Sequence, residues 1–398
     1  MRAAHLACGL ALLAAVMLLG ACGDDADSGA EEGPIVIGFA TAESGAFAAY
    51  DVPAVQGAQL KIDELNRAGG LDGRRIKVVK GDTKTDIDEA QIAANKVLSE
   101  GAEFVMVTCD FDYGAPSVLE AEKQGVVAMS SCAGSTKFRP AEFGPLAFSM
   151  AVATPAEGAA MAEFASERLD ASTAYVLLDP SIDQTKQSAA AFTARWRSLG
   201  NEIVGEDTFQ QDDQSISAQI TRLRGLDQQP DVIYISSYPP GGPKAIRQLR
   251  AAGIESTILG DSNWSGSYWY RAVPGLSNMY HDAYVALNGD DPNARVNKLI
   301  ERFEKRFGNP PDTSLGFITG YSTIEAFARA YRKAGTTGGE ELAAALESFD
   351  DEDLLIGSTT FTEESHITAS RPLRIIEIED GTDRFATEWT AEEIPQID

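Results

Sequence analysis

Few side chains in this chain are of a type and spacing that could do chemistry. There are four cysteines, at positions 8, 22, 109 and 132, and three histidines, at 5, 281 and 366. No Gly-x-Ser-x-Gly elbow, His-Glu-x-x-His motif or phosphate loop occurs, and Gly320-Tyr321-Ser322 lacks the closing glycine of an elbow. The acidic run from Asp350 to Asp353 lacks the glycine and spaced ligands of a calcium loop, so it reads as a solvated loop. With 60 acidic residues in the chain, paired carboxylates carry no weight alone. Catalysis, a metal and a cofactor are therefore not expected. Cys109 and Cys132 each follow a strand-like run, 104–107 and 126–129. Successive parallel strands are often neighbours. A disulfide is expected, closing a loop of about 23 residues and stabilising by about 3 kcal/mol. Two buried thiols or a metal site are the competing readings, although no histidine or further cysteine lies nearby.

The other two cysteines lie in a different context. Arg2 precedes an apolar run of about ten residues, too short to span a bilayer and suited to a secretory signal. Leu19-Gly20-Ala21-Cys22 resembles the bacterial lipobox, in which the cysteine is lipidated and becomes the first mature residue. An ordinary signal peptide with an incidental cysteine is the alternative. Residues 1–21 are thus read as signal. Residues 22–34, acidic and free of aromatics, are read as a flexible tether. The formal charge of −27 repels phosphate backbones and argues against nucleic-acid partners.

The remaining chain must position whatever site exists, and it is long enough for two domains. Strand-like runs at 35–39, 75–79, 104–107 and 126–130 alternate with helical patterns at 54–67, 88–98 and 115–123. In the first helix Val55, Ala58, Ile62 and Leu65 share a face; in the second, Ile92, Ala93 and Val97 point inward. The rhythm restarts with helices at 157–169, 183–199, 214–226 and 242–252 between strands at 174–178, 202–208, 231–235 and 257–259. A strand at 283–286, helices at 293–307 and 316–334, and an alternating edge strand at 373–379 follow. Alternation of this kind predicts an α/β fold with parallel sheets.

In series, Ile37-Gly38-Phe39, Ser44-Gly45, Tyr50, Gln56-Gly57-Ala58, the turn from Asn66 to Arg74 (NRAGGLDGR), Asp82 and the segment 234–253 are similar to one family. They resemble the leucine/isoleucine/valine-binding proteins, type I periplasmic solute-binding proteins of ABC transporters. The resemblance implies two Rossmann-like lobes joined by three crossovers, with ligand held between them. It divides the chain into a first lobe of 35–153 plus 284–370 and a second of 154–283 plus 371–398. Ligands of open α/β sheets sit beyond the carboxyl ends of the strands, which suits that picture.

What the resemblance implies for individual residues is mixed. Tyr50 stands where an aromatic packs on the ligand. Asp110, Phe111 and Asp112, flanked by Tyr113, stand where backbone and a serine bind a carboxylate. Ala133, Gly134 and Ser135 fall in the second carboxylate loop, and Tyr238 and Tyr321 match further aromatics. Asp183 replaces a usual tyrosine. The acid that would pair with an α-ammonium falls near Ser262, with Asp261 beside it and Trp264 following. Each has a plainer reading: Tyr50 or Tyr321 as core, Ser135 as a helix cap, Asp110 and Asp112 as caps for a helix near Ala115. The expected function is capture of an amino acid, amide or organic acid for an ABC permease. The protein would act as a monomer, lipid-anchored outside the cytoplasm, without a cofactor. A sensor presenting the same closed form to a receptor is the alternative, and a secreted α/β enzyme a distant third.

Overall fold

Residues 35–41 (IVIGFAT) are buried at every position but Val36, as befits a parallel strand covered on both faces. The structure, a computed structural model, describes residues 33–397. The signal segment, Cys22 and most of the tether lie outside the described residues. The first sheet is fed by β1 (Ile35–Thr41), α1 (Ala48–Arg67), β2 (Ile76–Asp82), α2 (Ile87–Ser99), β3 (Phe104–Val107) and α3 (Phe111–Lys123). It continues with β4 (Ala128–Ser130), the short α4 (Pro140–Phe143) and β5 (Ala147–Val152). The chain then builds a second sheet from α5 (Thr154–Arg168), β6 (Thr173–Leu178), α6 (Asp183–Ser198), β7 (Glu202–Thr208) and α7 (Ser217–Arg224). To these it adds β8 (Val232–Ser236), α8 (Gly241–Ala251), β9 (Thr257–Gly260) and β10 (Met279–Ala283). Next come α9 (Ala294–Phe307), α10 (Ser314–Ala334), α11 (Gly339–Glu347), a hairpin of β11 (Glu352–Leu354) and β12 (Gly357–Thr359), and β13 (Ile367–Thr368). The last strands are β14 (Leu373–Glu379) and β15 (Thr382–Trp389).

Strand order is β13-β5-β4-β3-β1-β2 in one sheet and β15-β14-β10-β9-β8-β6-β7 in the other. The chain therefore passes between sheets three times: after β5, after β10 and after β13. These are two lobes, each a mostly parallel sheet with helices. No described helix is long and apolar enough to cross a membrane.

Several elements differ from their sequence reading. Helix α1 starts at Ala48 and runs through Pro53 rather than after it. Tertiary bonds made by Tyr50 and Asp51 hold this first stretch. Ile92 is 61% exposed, because α2 buries Ala90, Ala93, Ala94, Val97 and Leu98 instead. The strand expected at 283–286 lies at Met279–Ala283 and leads into a crossover. Strand β14 pairs on both sides, and the unanticipated β15 takes the edge. The acidic run expected as a loop contributes Glu352 and Asp353 to the small hairpin. The six buried residues of β5 were not anticipated as a strand.

Helices α1 and α10 approach closely because glycines line their contact. A Cβ on Gly57 would meet the Phe317 carbonyl oxygen at 2.1 Å, and one on Gly320 would meet that of Ala54 at 2.0 Å. Cys109 and Cys132 follow β3 and β4, which pair in parallel, and their sulfurs are bonded with Cα atoms 4.7 Å apart.

Candidate ligand-binding cleft

One buried acid ties together the ends of two neighbouring strands of the first sheet. Asp51 of α1 accepts the Ala42 amide beyond β1 at 2.6 Å and the Cys109 amide beyond β3 at 2.8 Å. Burial pushes its carboxyl up to about 7, against those two bonds. One residue on, Asp110 caps α3, its Oδ1 accepting the Tyr113 amide at 3.0 Å. Its Oδ2 has no donor among the described residues. Burial, then the neighbouring charge of Asp112, lift the Asp110 carboxyl to about 8.

From this rim the first lobe reaches the second at several points. The Tyr50 hydroxyl donates to the Asn263 carbonyl at 3.0 Å, and Tyr268 stands edge-on to the Tyr50 ring at 6.4 Å. Phe47 lies 5.2 Å from Tyr113 and 5.6 Å from Tyr238 across the cleft, ring centre to ring centre. The Tyr238 hydroxyl shares a hydrogen bond with Ser181, and burial pushes it up to about 12.

Asp183 is the densest crossing point. It begins α6, where helix amides are unpaired, and its N–H donates to Asp112 Oδ2 at 2.7 Å. Its carboxylate accepts Ser135 at 2.6 Å, Lys137 at 2.8 Å and Gln187 at 2.7 Å. Gln187 also accepts the Thr136 amide at 3.2 Å. In this form the lobes are latched shut.

Behind the cleft the crossovers converge. Buried Glu157 accepts Ser262 at 3.0 Å and Tyr284 at 2.9 Å, and the Tyr284 hydroxyl accepts the Val152 amide at 3.2 Å. Burial, then the charge of Asp261, raise the Glu157 carboxyl to about 8.

The structure thus brings together Tyr50, Asp110, Asp112, Tyr113, Ser135, Asp183 and Tyr238. It places the other candidates elsewhere. Phe111 packs on Phe138 and Phe143 under the first lobe. Ala133 accepts Ser149, and Gly134 abuts Thr154 at the crossover. Ser262 is held by Glu157. Asp261 lies beneath the surface, accepting the Asn263 amide at 3.2 Å, with burial raising it to about 6. Trp264 is core, donating to the Ile235 carbonyl. Tyr321 bonds Glu64 between α1 and α10, because its helical position turns it to that seam. Phe47, Lys137, Gln187, Asn263 and Gln184, which donates to the Asn263 side-chain oxygen at 3.2 Å, were missed; nothing in their local sequence marks them. His281 and His366 hydrogen-bond the Asp282 and Ala147 carbonyls, away from this cleft.

Comparison with known proteins matches this arrangement. The profile of the periplasmic binding protein family covers residues 34–383. A Leu/Ile/Val-binding protein of Rhizobium johnstonii is 24% identical over 343 residues, covering 84% of this chain and 89% of the relative. A leucine-, isoleucine-, valine-, threonine- and alanine-binding protein of Pseudomonas aeruginosa is also 24% identical, over 79% of this chain and 82% of its own length. The branched-chain amino acid transporter substrate-binding protein LivJ of Streptococcus pneumoniae, solved with isoleucine, superposes with a TM-score of 0.80 at 26% identity. That superposition covers 89% of this chain and 99% of LivJ. A solute-binding protein of Rhodopseudomonas palustris in complex with benzoate shares the fold, with a TM-score of 0.75 at 18% identity over 91% of this chain and 98% of that one. With its two crossover-linked lobes meeting at their strand tips, this chain belongs to the periplasmic binding protein family.

Proposed function

We propose that the protein captures a small polar solute between its lobes, outside the cytoplasm, and delivers it in closed form to the permease of an ABC importer. The supporting observation is the latch of Asp112, Ser135 and Lys137 around Asp183, which joins the strand tips of opposite lobes. A solute between those tips adds contacts available only when the lobes are shut, so binding favours closure. Closure also excludes water and strengthens each polar contact. The relatives' names point the same way, since they bind amino acids. We take 35–153 plus 284–370 as one lobe and 154–283 plus 371–398 as the other. We further take Cys22 as the lipid-bearing residue that anchors the protein to the membrane.

A thermal-shift screen over amino acids, small amides and carboxylates tests the capture, because a ligand of the folded state alone raises the melting point. Tyr50→Ala and Tyr238→Ala should each weaken the hit at least tenfold while leaving the ligand-free melting transition cooperative. Unchanged affinity in both removes the cleft assignment. A Cys22→Ser variant should move from the membrane fraction to the soluble one; retention on the membrane removes the anchor.

A further inference from the structure

This inference rests on the solute-capture reading and specifies the charge of the solute. Asp110 stands at a strand tip, 1% exposed, with one carboxylate oxygen bonded to the Tyr113 amide and the other meeting no donor among the described residues. A buried carboxylate oxygen without a donor is costly, and a ligand donor relieves that cost. The charges that bear on it are Asp112 of α3 and Asp51 of α1, both acids. The cation on this rim, Lys137, is committed to Asp183 at 2.8 Å. Two residues on, Asp112 accepts the Asp183 amide of the second lobe at 2.7 Å, and Phe47 bridges the rings of Tyr113 and Tyr238, which sets this stretch where the lobes meet.

Aromatic rings cluster on the same rim, one of them that of Tyr113, whose amide Asp110 accepts. Phe47 lies 6.0 Å from Tyr50, 5.2 Å from Tyr113 and 5.6 Å from Tyr238. Ring faces attract cations, and a carboxylate beside them adds to that attraction. Once ionised, the same pairing repels an anion.

We infer that the solute presents a cationic nitrogen, a primary or alkylated ammonium, to Asp110 among these rings. On the opposite lobe the Asn263 side-chain nitrogen, also buried, meets no acceptor among the described residues. The other end of the solute therefore carries a hydrogen-bond acceptor. Asp110 stands where the family resemblance implied a carboxylate-binding loop, so this chain inverts the charge its loop accepts.

The test titrates choline and 1,4-diaminobutane against butyrate and benzoate into the mature protein, by calorimetry and thermal shift. The two cations should bind and raise the melting point; the two anions should do neither. Cation affinity should rise from pH 6 to pH 8, because the buried Asp110 proton, held up to about 8, leaves as the cation enters. Asp51, Asp112, Tyr113 and Tyr238 face the same group, so the pH series is repeated in Asp110→Asn. Asparagine caps a helix as well as aspartate, so that variant keeps its fold; a ligand-free melting point near wild type checks this, with Asp110→Ser as a second capping variant. Cation affinity should fall at least tenfold in both variants and lose its pH dependence. Binding of butyrate or benzoate in place of the cations, or unchanged cation affinity in Asp110→Asn, overturns the charge assignment and leaves solute capture standing. No shift from either class also overturns the charge assignment, and solute capture is then decided by the wider screen.

Discussion

A single carboxyl can be capped, bonded and buried and still be held far from its usual protonation. Asp51, Asp110 and Glu157 retain protons to about 7, 8 and 8 because burial penalises their charged forms more than their bonds favour them. Their unfolded values lie near 4, so between pH 6.5 and 8 the folded state holds protons that the unfolded chain has lost. Such groups stabilise fully below their unfolded values, and that contribution is lost as pH rises through 7 to 8. His281 is depressed to about 4 by burial, and His366 is lowered too. Both are still half-protonated in the unfolded chain at pH 6.5, so they oppose the fall at the low end of this window, by at most about 0.4 kcal/mol each, and their effect is spent by about pH 7.5. The ligand-free melting point should therefore fall from pH 6.5 to 8, with each group contributing at most about 1.4 kcal/mol per pH unit. Calorimetry across that range checks it, and a rising melting point would contradict the assignment.

Among elements, the strand ends are the parts most tightly fixed. Strands β3 and β4 pair in parallel, and Cys109 and Cys132 are bonded just beyond their ends, 23 residues apart in sequence. The bond restrains the two loops that carry Asp110 and Ser135. Cys109→Ser with Cys132→Ser should cost about 3 kcal/mol by the loop-entropy argument. Urea denaturation of the double variant measures this; a loss under about 1 kcal/mol would show that the loop is already restrained by its packing. The strand-and-helix alternation was legible because parallel strands buried on both faces read as continuous apolar runs. Strand β5 escaped notice because Ala147, Ser149 and Ala151 dilute its apolar signal. The edge strand β15 escaped because exposed and half-buried positions alternate along it without large aliphatics.

For the whole molecule, function depends on a balance between shut and parted lobes. The Asp183 carboxylate accepts two of the bonds that hold them shut, from Ser135 and Lys137. Asp183→Ala removes that carboxylate while its backbone bond to Asp112 remains, and Lys137, 38% exposed at its side chain, can return to water. The substitution should weaken closure by roughly 1–3 kcal/mol. Small-angle scattering should show a larger radius of gyration for the ligand-free variant, and solute should bind more weakly. An unchanged radius and affinity would mean that the hinge contacts around Glu157 set the closure.

Patterns confined to neighbouring residues gave the α/β class, the two-sheet organisation, the order of most elements and the family resemblance, because apolar periodicity and glycine turns are local properties. The resemblance also nominated Tyr50, Asp110, Ser135, Asp183 and Tyr238. Only the tertiary structure showed what faces what. It joined Asp183 to Lys137, 46 residues away in sequence, set Phe47 against Tyr238, and withdrew Tyr321 into the α1–α10 seam. Contacts between lobes depend on how two sheets are brought together, and no stretch of sequence encodes that locally.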